Sequence, residues 1–178
     1  MGEHFTNFHI AGFKRLGAKY NLKNGYTNLS AKNGLIGNTY KFPKVSVTGT
    51  CNLIMASVFA KNTTTLKNVS IEPEVLDLIS FLNSSANLKF IKFTGKRTLK
   101  IRGITKLIKG PNKGVSGTID IEGAKNSCLP LLASSILFKD SIVLTNVPLV
   151  KDVLTMCNLL EELGSKVEIS EKNKTIKV

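Results

Sequence analysis

At 178 residues and 42% hydrophobic, the chain can build a core of one domain, or two small ones, and it does not read as disordered. No apolar run approaches the roughly 20 residues of a membrane-spanning helix, and the N-terminus puts Glu3 and His4 where a signal peptide has a basic and then an apolar stretch, so no membrane partner is expected and a cytoplasmic protein is the default. The net charge of +13 invites a nucleic acid, but it is carried almost wholly by scattered lysines, with Arg15, Arg97 and Arg102 the only guanidinium forks, so no nucleic acid is expected.

In chain order, Leu16-Gly17-Ala18-Lys19-Tyr20 sets a glycine after a helical run, the expected C-cap, with alternating residues beyond it as in a strand. Next comes Val45–Asn52 (V-S-V-T-G-T-C-N), an apolar run Leu53–Ala60, a strand-like Thr64–Ser70, and Glu72-Pro73-Glu74 opening a second apolar-periodic run, Val75–Leu82. Strand-like stretches Leu88–Phe93 and Thr98–Arg102 follow. The same order then returns: Ile119–Asn126 (I-D-I-E-G-A-K-N), the apolar run Ser127–Phe138, Ser141–Pro148, a helical run Val150–Leu163, and strands Lys166–Ser170 and Thr175–Val178. Shared anchors are Gly49 and Gly123, Asn52 and Asn126, Asn68-Val69 and Asn146-Val147, and Leu82 and Leu160. The first helix of the second copy is longer by about one turn.

This predicts a partial unit over residues 1–40, a complete β-α-β-α-β-β unit over 41–105, a connecting segment over 106–117 and a second complete unit over 118–178. The first helix of each unit is apolar nearly all round and should be buried. The last helix is amphipathic, with Val153, Met156, Cys157, Leu160 and Leu163 able to share a face. Buried helices with half-exposed strands make an α/β (α+β) class with helices inside and sheets outside. Cys51, Cys128 and Cys157 are odd in number and lack metal-ligand spacing, which suits buried free thiols. Of the two histidines, His9 suits packing, and Glu72 and Glu74 suit a helix start.

Two turns carry candidate chemistry. Lys125 stands in Gly-Ala-Lys-Asn at the start of a buried helix, where the helix dipole disfavours a cation by about 0.3–1 kcal/mol. It gains a reason if an anion sits between the amine and the free N–H groups; the alternative is a solvated lysine beside an Asn126 cap. Lys44-Val45-Ser46-Val47-Thr48-Gly49 has a similar strand-to-helix character, without the spacing of a P-loop. An ordinary capped helix start would look the same.

G-A-K-N-S-C-L-P-L-L-A-S-S-I-L (Gly123–Leu137), with T-N-V-P-L-V-K-D-V (Thr145–Val153) and L-L-E-E-L-G-S-K-V (Leu159–Val167), resembles the opening of the UDP-N-acetylglucosamine 1-carboxyvinyltransferase family, in the EPSP synthase-like superfamily. V-T-G-T-C-N-L-I-M-A (Val47–Ala56), Lys67–Leu82 and F-H-I-A-G-F-K-R-L-G-A-K (Phe8–Lys19) are similar to later segments of the same family. The sister family acting on shikimate 3-phosphate shares the repeat and matches these motifs less well.

The resemblance implies enolpyruvyl transfer from phosphoenolpyruvate to the 3-hydroxyl of UDP-N-acetylglucosamine, in peptidoglycan synthesis. It implies that Lys125 contacts phosphoenolpyruvate, that Asn126 helps to hold the sugar, and that Lys44, Ser46, Val47 and Thr48 lie along the uridine diphosphate. No metal or organic cofactor is expected.

Relative to the family the order is permuted, since Lys106–Lys113 resembles the family's beginning yet stands in mid-chain. The catalytic cysteine loop and the partner domain find no counterpart, and His4-Phe5-Thr6-Asn7-Phe8 stands where the family has Arg-Pro-Val-Asp-Leu. No catalytic residue is therefore assigned, the chain alone is not expected to complete the reaction, and a complementary chain supplying the missing domain is one expected partner. A basic module that binds an anionic polymer such as RNA is the alternative from another class.

Overall fold

The computed structural model describes residues 3–23, 25–86, 88–104 and 125–178, without the side chains of residues 3–7 and of Lys125. The segment Lys106–Lys113, the opening strand expected near Ile119 and the anchor Gly123 lie outside the described residues. The chain divides into two compact units, residues 1–75 with 89–106 and residues 76–88 with 107–178.

The first unit opens with α1 (Glu3–Arg15). Gly17 ends it in the left-handed region at φ +91°. Gly17 N–H bonds to the carbonyl of Lys14 at 3.0 Å and Ala18 N–H to that of Phe13 at 3.0 Å. These two bonds are the Schellman closure, which consumes carbonyls that a helix end leaves unpaired. The chain then turns through a hairpin, β1 (Lys19–Lys23) and β2 (Tyr26–Ser30).

A four-stranded sheet follows, built from β3 (Thr39–Lys41), β4 (Thr63–Lys67), β5 (Ile91–Gly95) and β6 (Thr98–Arg102) in the order β3-β4-β6-β5. β3 and β4 are parallel and the other pairs antiparallel. The crossover between β3 and β4 is α2 (Val47–Ser57). Its Leu53 and Ile54 are fully buried, each contributing about 1.5–3 kcal/mol relative to exposure. Leu99 and Ile101 of β6 and Leu66 of β4 are also fully buried, and their neighbours along each strand face water.

The second unit takes helix α3 (Pro73–Ser85) from Leu76 onward, then α4 (Lys125–Ser134), a 3-10 turn over Ser135–Leu137, β7 (Val143–Leu144), α5 (Lys151–Glu162), β8 (Glu168–Ser170) and β9 (Thr175–Lys177). Its sheet runs β7-β9-β8, antiparallel throughout. Phe81 of α3 meets Phe138, ring centroids 5.2 Å apart.

The two sheets match in detail. In each, the second strand of the hairpin lies in the middle and pairs with the strand that precedes the amphipathic helix. Asn68 and Asn146, both left-handed at φ +58° and +55°, end those preceding strands. The valine after each is fully buried and donates its N–H to the hairpin turn, Val69 to Arg97 at 3.2 Å and Val147 to Lys174 at 2.9 Å.

Several boundaries differ from expectation, and the first helix of the second copy is not the longer one, since α2 has 11 residues and α4 has 10 before its 3-10 turn. α2 opens at Val47, not Leu53, because Ser46 caps it and the β-branched Val47, Thr48 and Thr50 are carried into the helix. The strand before it is Thr39–Lys41, not the stretch after Val45. Leu163 does not join the buried face of α5: it is the C-cap residue and 68% exposed, whereas Val153, Cys157 and Leu160 are buried.

Candidate functional site

The loop bearing Lys44 hangs between two fixed points. On one side Phe42 is fully buried. Its N–H donates to the carbonyl of Lys67 at 3.0 Å and its own carbonyl accepts from Asn68 Nδ2 at 2.9 Å. Its ring lies edge-on to Tyr40, centroids 5.0 Å apart, and the Tyr40 hydroxyl donates to the carbonyl of Phe8 at 3.0 Å. On the other side Ser46 caps α2, its Oγ accepting from Gly49 N–H at 3.1 Å. Pro43, Lys44 and Val45 span the gap and are exposed.

Gly49 makes this geometry possible. A Cβ there would sit 3.0 Å from Ser46 Oγ and 3.1 Å from the Phe42 ring, tighter than the cap and the ring allow together. Thr50 adds a brace that sequence reading missed. Its Oγ1 donates to the carbonyl of Ser46 at 2.7 Å and accepts from the buried Ser70 N–H at 3.1 Å. A threonine four residues after a capping serine was the available signal, since a hydroxyl there can reach back to the cap's carbonyl.

The cap uses the N–H of Gly49. The N–H groups of Val47 and Thr48, at the first two helical positions, have no intrahelical acceptor. Thr48 is exposed and Val47 half-buried. This end of α2 thus offers two N–H donors, the Ser46 hydroxyl proton and the nearby Lys44 to an anion, on the positive end of the helix dipole.

Lys125 is the first residue of α4, and Asn126, the second, is exposed. Pro130 lies inside this helix. It has no N–H to give the carbonyl of Asn126, so that carbonyl lacks its i+4 partner. The first N–H groups of α4 thus have no intrahelical acceptor, and the Asn126 carbonyl has no i+4 donor. Lys44, Ser46, Val47 and Thr48 belong together on one turn of the first unit, while Lys125 and Asn126 open a helix of the second.

The remaining titratable groups read as structural. His9 Nδ1 accepts from Asn52 Nδ2 at 2.9 Å, a bond from α1 to α2, and burial lowers its pKa. Burial pushes the Cys51 thiol up to about 12, with the charge of Glu74 adding to it, and burial raises Cys128 to about 12 as well. Cys157 moves the same way for the same reason. Such thiols are neutral and poor nucleophiles. Among the described residues no three His, Cys, Asp or Glu side chains gather as a metal site would need.

An open groove of about 510 Å³ lies in the second unit, lined by Lys139, Lys166, Lys177 and Glu168 among others. None of the six candidate residues lines it. Lys166 and Lys177 both reach Glu168, at 3.2 and 3.4 Å, so its charges largely offset one another.

A family model for EPSP synthase (3-phosphoshikimate 1-carboxyvinyltransferase) matches residues 7–112 and again 109–178. The UDP-N-acetylglucosamine 1-carboxyvinyltransferase of Pelagibacter ubique is 36% identical over 177 residues, covering 96% of this chain and 39% of that protein. Its counterpart in Sulfurimonas denitrificans is 31% identical over 182 residues, covering 99% of this chain and 40% of that protein. The chain therefore spans about two fifths of the length of these relatives. Among solved structures, the enolpyruvyl transferase NikO from Streptomyces tendae superposes with a TM-score of 0.51 at 18% identity, over 97% of this chain and 41% of that one, a likeness of fold. With the model matched from residue 7 to residue 178, the chain belongs to the EPSP synthase family.

Proposed function

We propose that this chain binds the UDP-N-acetylglucosamine and phosphoenolpyruvate of an enolpyruvyl transfer in peptidoglycan synthesis, with the reacting groups completed by another chain. The observation that carries the reading is local: both candidate motifs coincide with helix starts, Ser46 capping α2 and Lys125 opening α4. An anionic ligand is what free N–H groups and a nearby amine stabilise. Lys44, Ser46, Val47 and Thr48 take the diphosphate; Lys125 takes the phosphate or carboxylate of phosphoenolpyruvate, and Asn126 the sugar. The names of the relatives give the substrate class. The matched sheets support a further part of the reading, that the chain is built from copies of one β-α-β-α-β-β unit.

Enolpyruvyl transfer adds the sugar hydroxyl across the enol double bond and then expels phosphate. It needs an acid for the methylene carbon, a base for the hydroxyl, and cations around the growing charge. The reading gives this chain the cations and no acid or base.

A thermal-shift titration with UDP-N-acetylglucosamine, with and without phosphoenolpyruvate, tests it. A ligand at 100 times its Kd stabilises the folded state by about 2.7 kcal/mol. A saturable rise in Tm that Lys44→Ala and Ser46→Ala each diminish is expected. An unmoved Tm at millimolar ligand would leave the family membership and remove the binding.

A further inference from the structure

One residue grips the backbone of Val69 at both of its polar groups. Val69 is fully buried, its N–H donates to the carbonyl of Arg97 at 3.2 Å, and its carbonyl accepts from Arg97 Nη1 at 3.0 Å. Arg97 lies in the turn between β5 and β6 and is half-buried. A guanidinium bonded to a carbonyl makes a charge-assisted bond, stronger than the neutral bonds around it.

The residues on either side of Val69 hold the two ends of the Lys44 loop. Asn68 Nδ2 donates to the carbonyl of Phe42 at 2.9 Å, just before the loop. Ser70, fully buried, donates its N–H to Thr50 Oγ1 at 3.1 Å. Thr50 Oγ1 in turn donates to the carbonyl of Ser46 at 2.7 Å, just after the loop. Two arms of a single turn thus set the separation of Phe42 and Ser46, and the exposed Pro43, Lys44 and Val45 bridge it. Asn68 at φ +58° holds a conformation that few residues besides glycine and asparagine adopt, so the turn's own shape is specified along with its bonds. All of these residues belong to the first unit.

The repeat shows which parts of this arrangement are particular to the first copy. By the shared anchor Gly49 and Gly123, Ala124 stands where Thr50 does, and Lys174 takes the valine N–H as Arg97 does. Neither the threonine hydroxyl nor the guanidinium is repeated at those places. Groups that the unit's fold alone required would recur in both copies; these two accompany the Lys44 loop.

We infer that Arg97 is a positioning residue for the turn Lys44–Thr48. Through Val69 and its two arms it fixes where the N–H groups of Val47 and Thr48 stand before an anion arrives. The inference rests on the reading that this turn takes the diphosphate. Its physical content is preorganisation: donors held within about 0.5 Å of their bound places lose little freedom on binding. A loop bridged by exposed residues keeps that freedom unless both of its ends are fixed.

The test compares Arg97→Met and Arg97→Lys in the full chain, by calorimetry with UDP-N-acetylglucosamine and by two-dimensional amide NMR without ligand. Methionine keeps an unbranched stem and removes the donor; lysine keeps a cationic donor on a long stem. Arg97→Met should weaken binding about 10-fold with one-to-one stoichiometry retained, and Arg97→Lys by no more than about 3-fold. The amide resonances of Val47 and Thr48 move in Arg97→Met and return toward their wild-type positions in Arg97→Lys. Thr50→Val cuts one arm and weakens binding to a similar degree, whereas Thr50→Ser keeps the hydroxyl and does not. Arg97→Met then loses less affinity in the Thr50→Val background than in wild type, because the two act along one path. Should Thr50→Val fail to fold, Asn68→Gly cuts the other arm and replaces it in the cycle.

An Arg97→Met chain that loses stability yet keeps wild-type affinity and unmoved Val47 and Thr48 amides overturns the inference, leaving Arg97 as a contact of the fold alone. Fully additive losses also overturn it, since the guanidinium would then act on the ligand by a separate electrostatic route. Failure of the substrate reading looks different: wild type shows no binding, or binding that Lys44→Ala with Ser46→Ala leaves intact. The amide resonances alone then decide whether Arg97 shapes the turn.

Discussion

Asn68 sits at φ +58° and its Nδ2 holds the carbonyl of Phe42 at 2.9 Å. One residue thus serves both the turn out of β4 and the loop that carries Lys44. Asn68→Gly keeps the backbone conformation and loses the bond; Asn68→Ala loses the bond and adds left-handed strain of about 1–2 kcal/mol. Denaturant midpoints should fall in the order wild type, Gly, Ala. The glycines sort in a similar way. At Gly164 an added Cβ meets nothing, so Gly164→Ala costs only the conformational penalty at φ +96°, about 1 kcal/mol. At Gly103 the same Cβ would run into the carbonyl oxygen of Ala60, and Gly103→Ala should cost several times more. In the other direction, Thr64 Oγ1 is buried with no hydrogen-bond partner among the described residues. Thr64→Val removes an unpaired polar atom from a strand and should raise the unfolding free energy by about 1 kcal/mol.

At the scale of elements, helices and hairpins followed from local signals wherever those agreed with burial. Thr98–Arg102 is a strand as its alternation required, and Gly17 and Gly164 cap their helices as their positions required. The start of α2 was less legible. Val47-Thr48-Gly49-Thr50 has the composition of a strand, and what makes it helical is a serine cap, a glycine that admits the Phe42 ring and a threonine braced to Ser70. Two of those three partners lie outside the local stretch, so local pattern could not supply them. The candidate turns were legible only through family likeness, because a lysine near a helix start has bland explanations. The α1–α2 contact yields a pH prediction. His9 is held neutral, with its folded pKa below the ordinary 6.5, and Nδ1 must stay unprotonated to accept from Asn52. Its contribution is complete above pH 6.5 and is lost as pH falls from there toward the folded value. Urea melts from pH 7.5 to 5 should show that loss, and His9→Asn should flatten it.

For the molecule as a whole, the three cysteines report on unfolding. All are buried, and the thiols of Cys51 and Cys128 are raised to about 12. A disulfide-exchange reagent at pH 8 should label them only at the rate of unit opening, with little dependence on reagent concentration. Because Cys51 lies in the first unit and Cys128 and Cys157 in the second, mass analysis of partly labelled protein reports whether the units open separately. The chain's +13 charge has a competing meaning at this scale, attraction to polyanions, which weakens steeply with salt.

The central proposal is that the helix start at Ser46 holds the diphosphate of a nucleotide sugar, and isothermal calorimetry with UDP-N-acetylglucosamine at moderate and high salt tests it most directly. The account predicts saturable one-to-one binding that survives added salt, weakened about 10-fold or more by Lys44→Ala with Ser46→Ala, since charge-assisted hydrogen bonds contribute about 1.5–3 kcal/mol each. Heats absent at millimolar ligand, or binding that disappears with salt and is matched by an RNA oligomer, would contradict it.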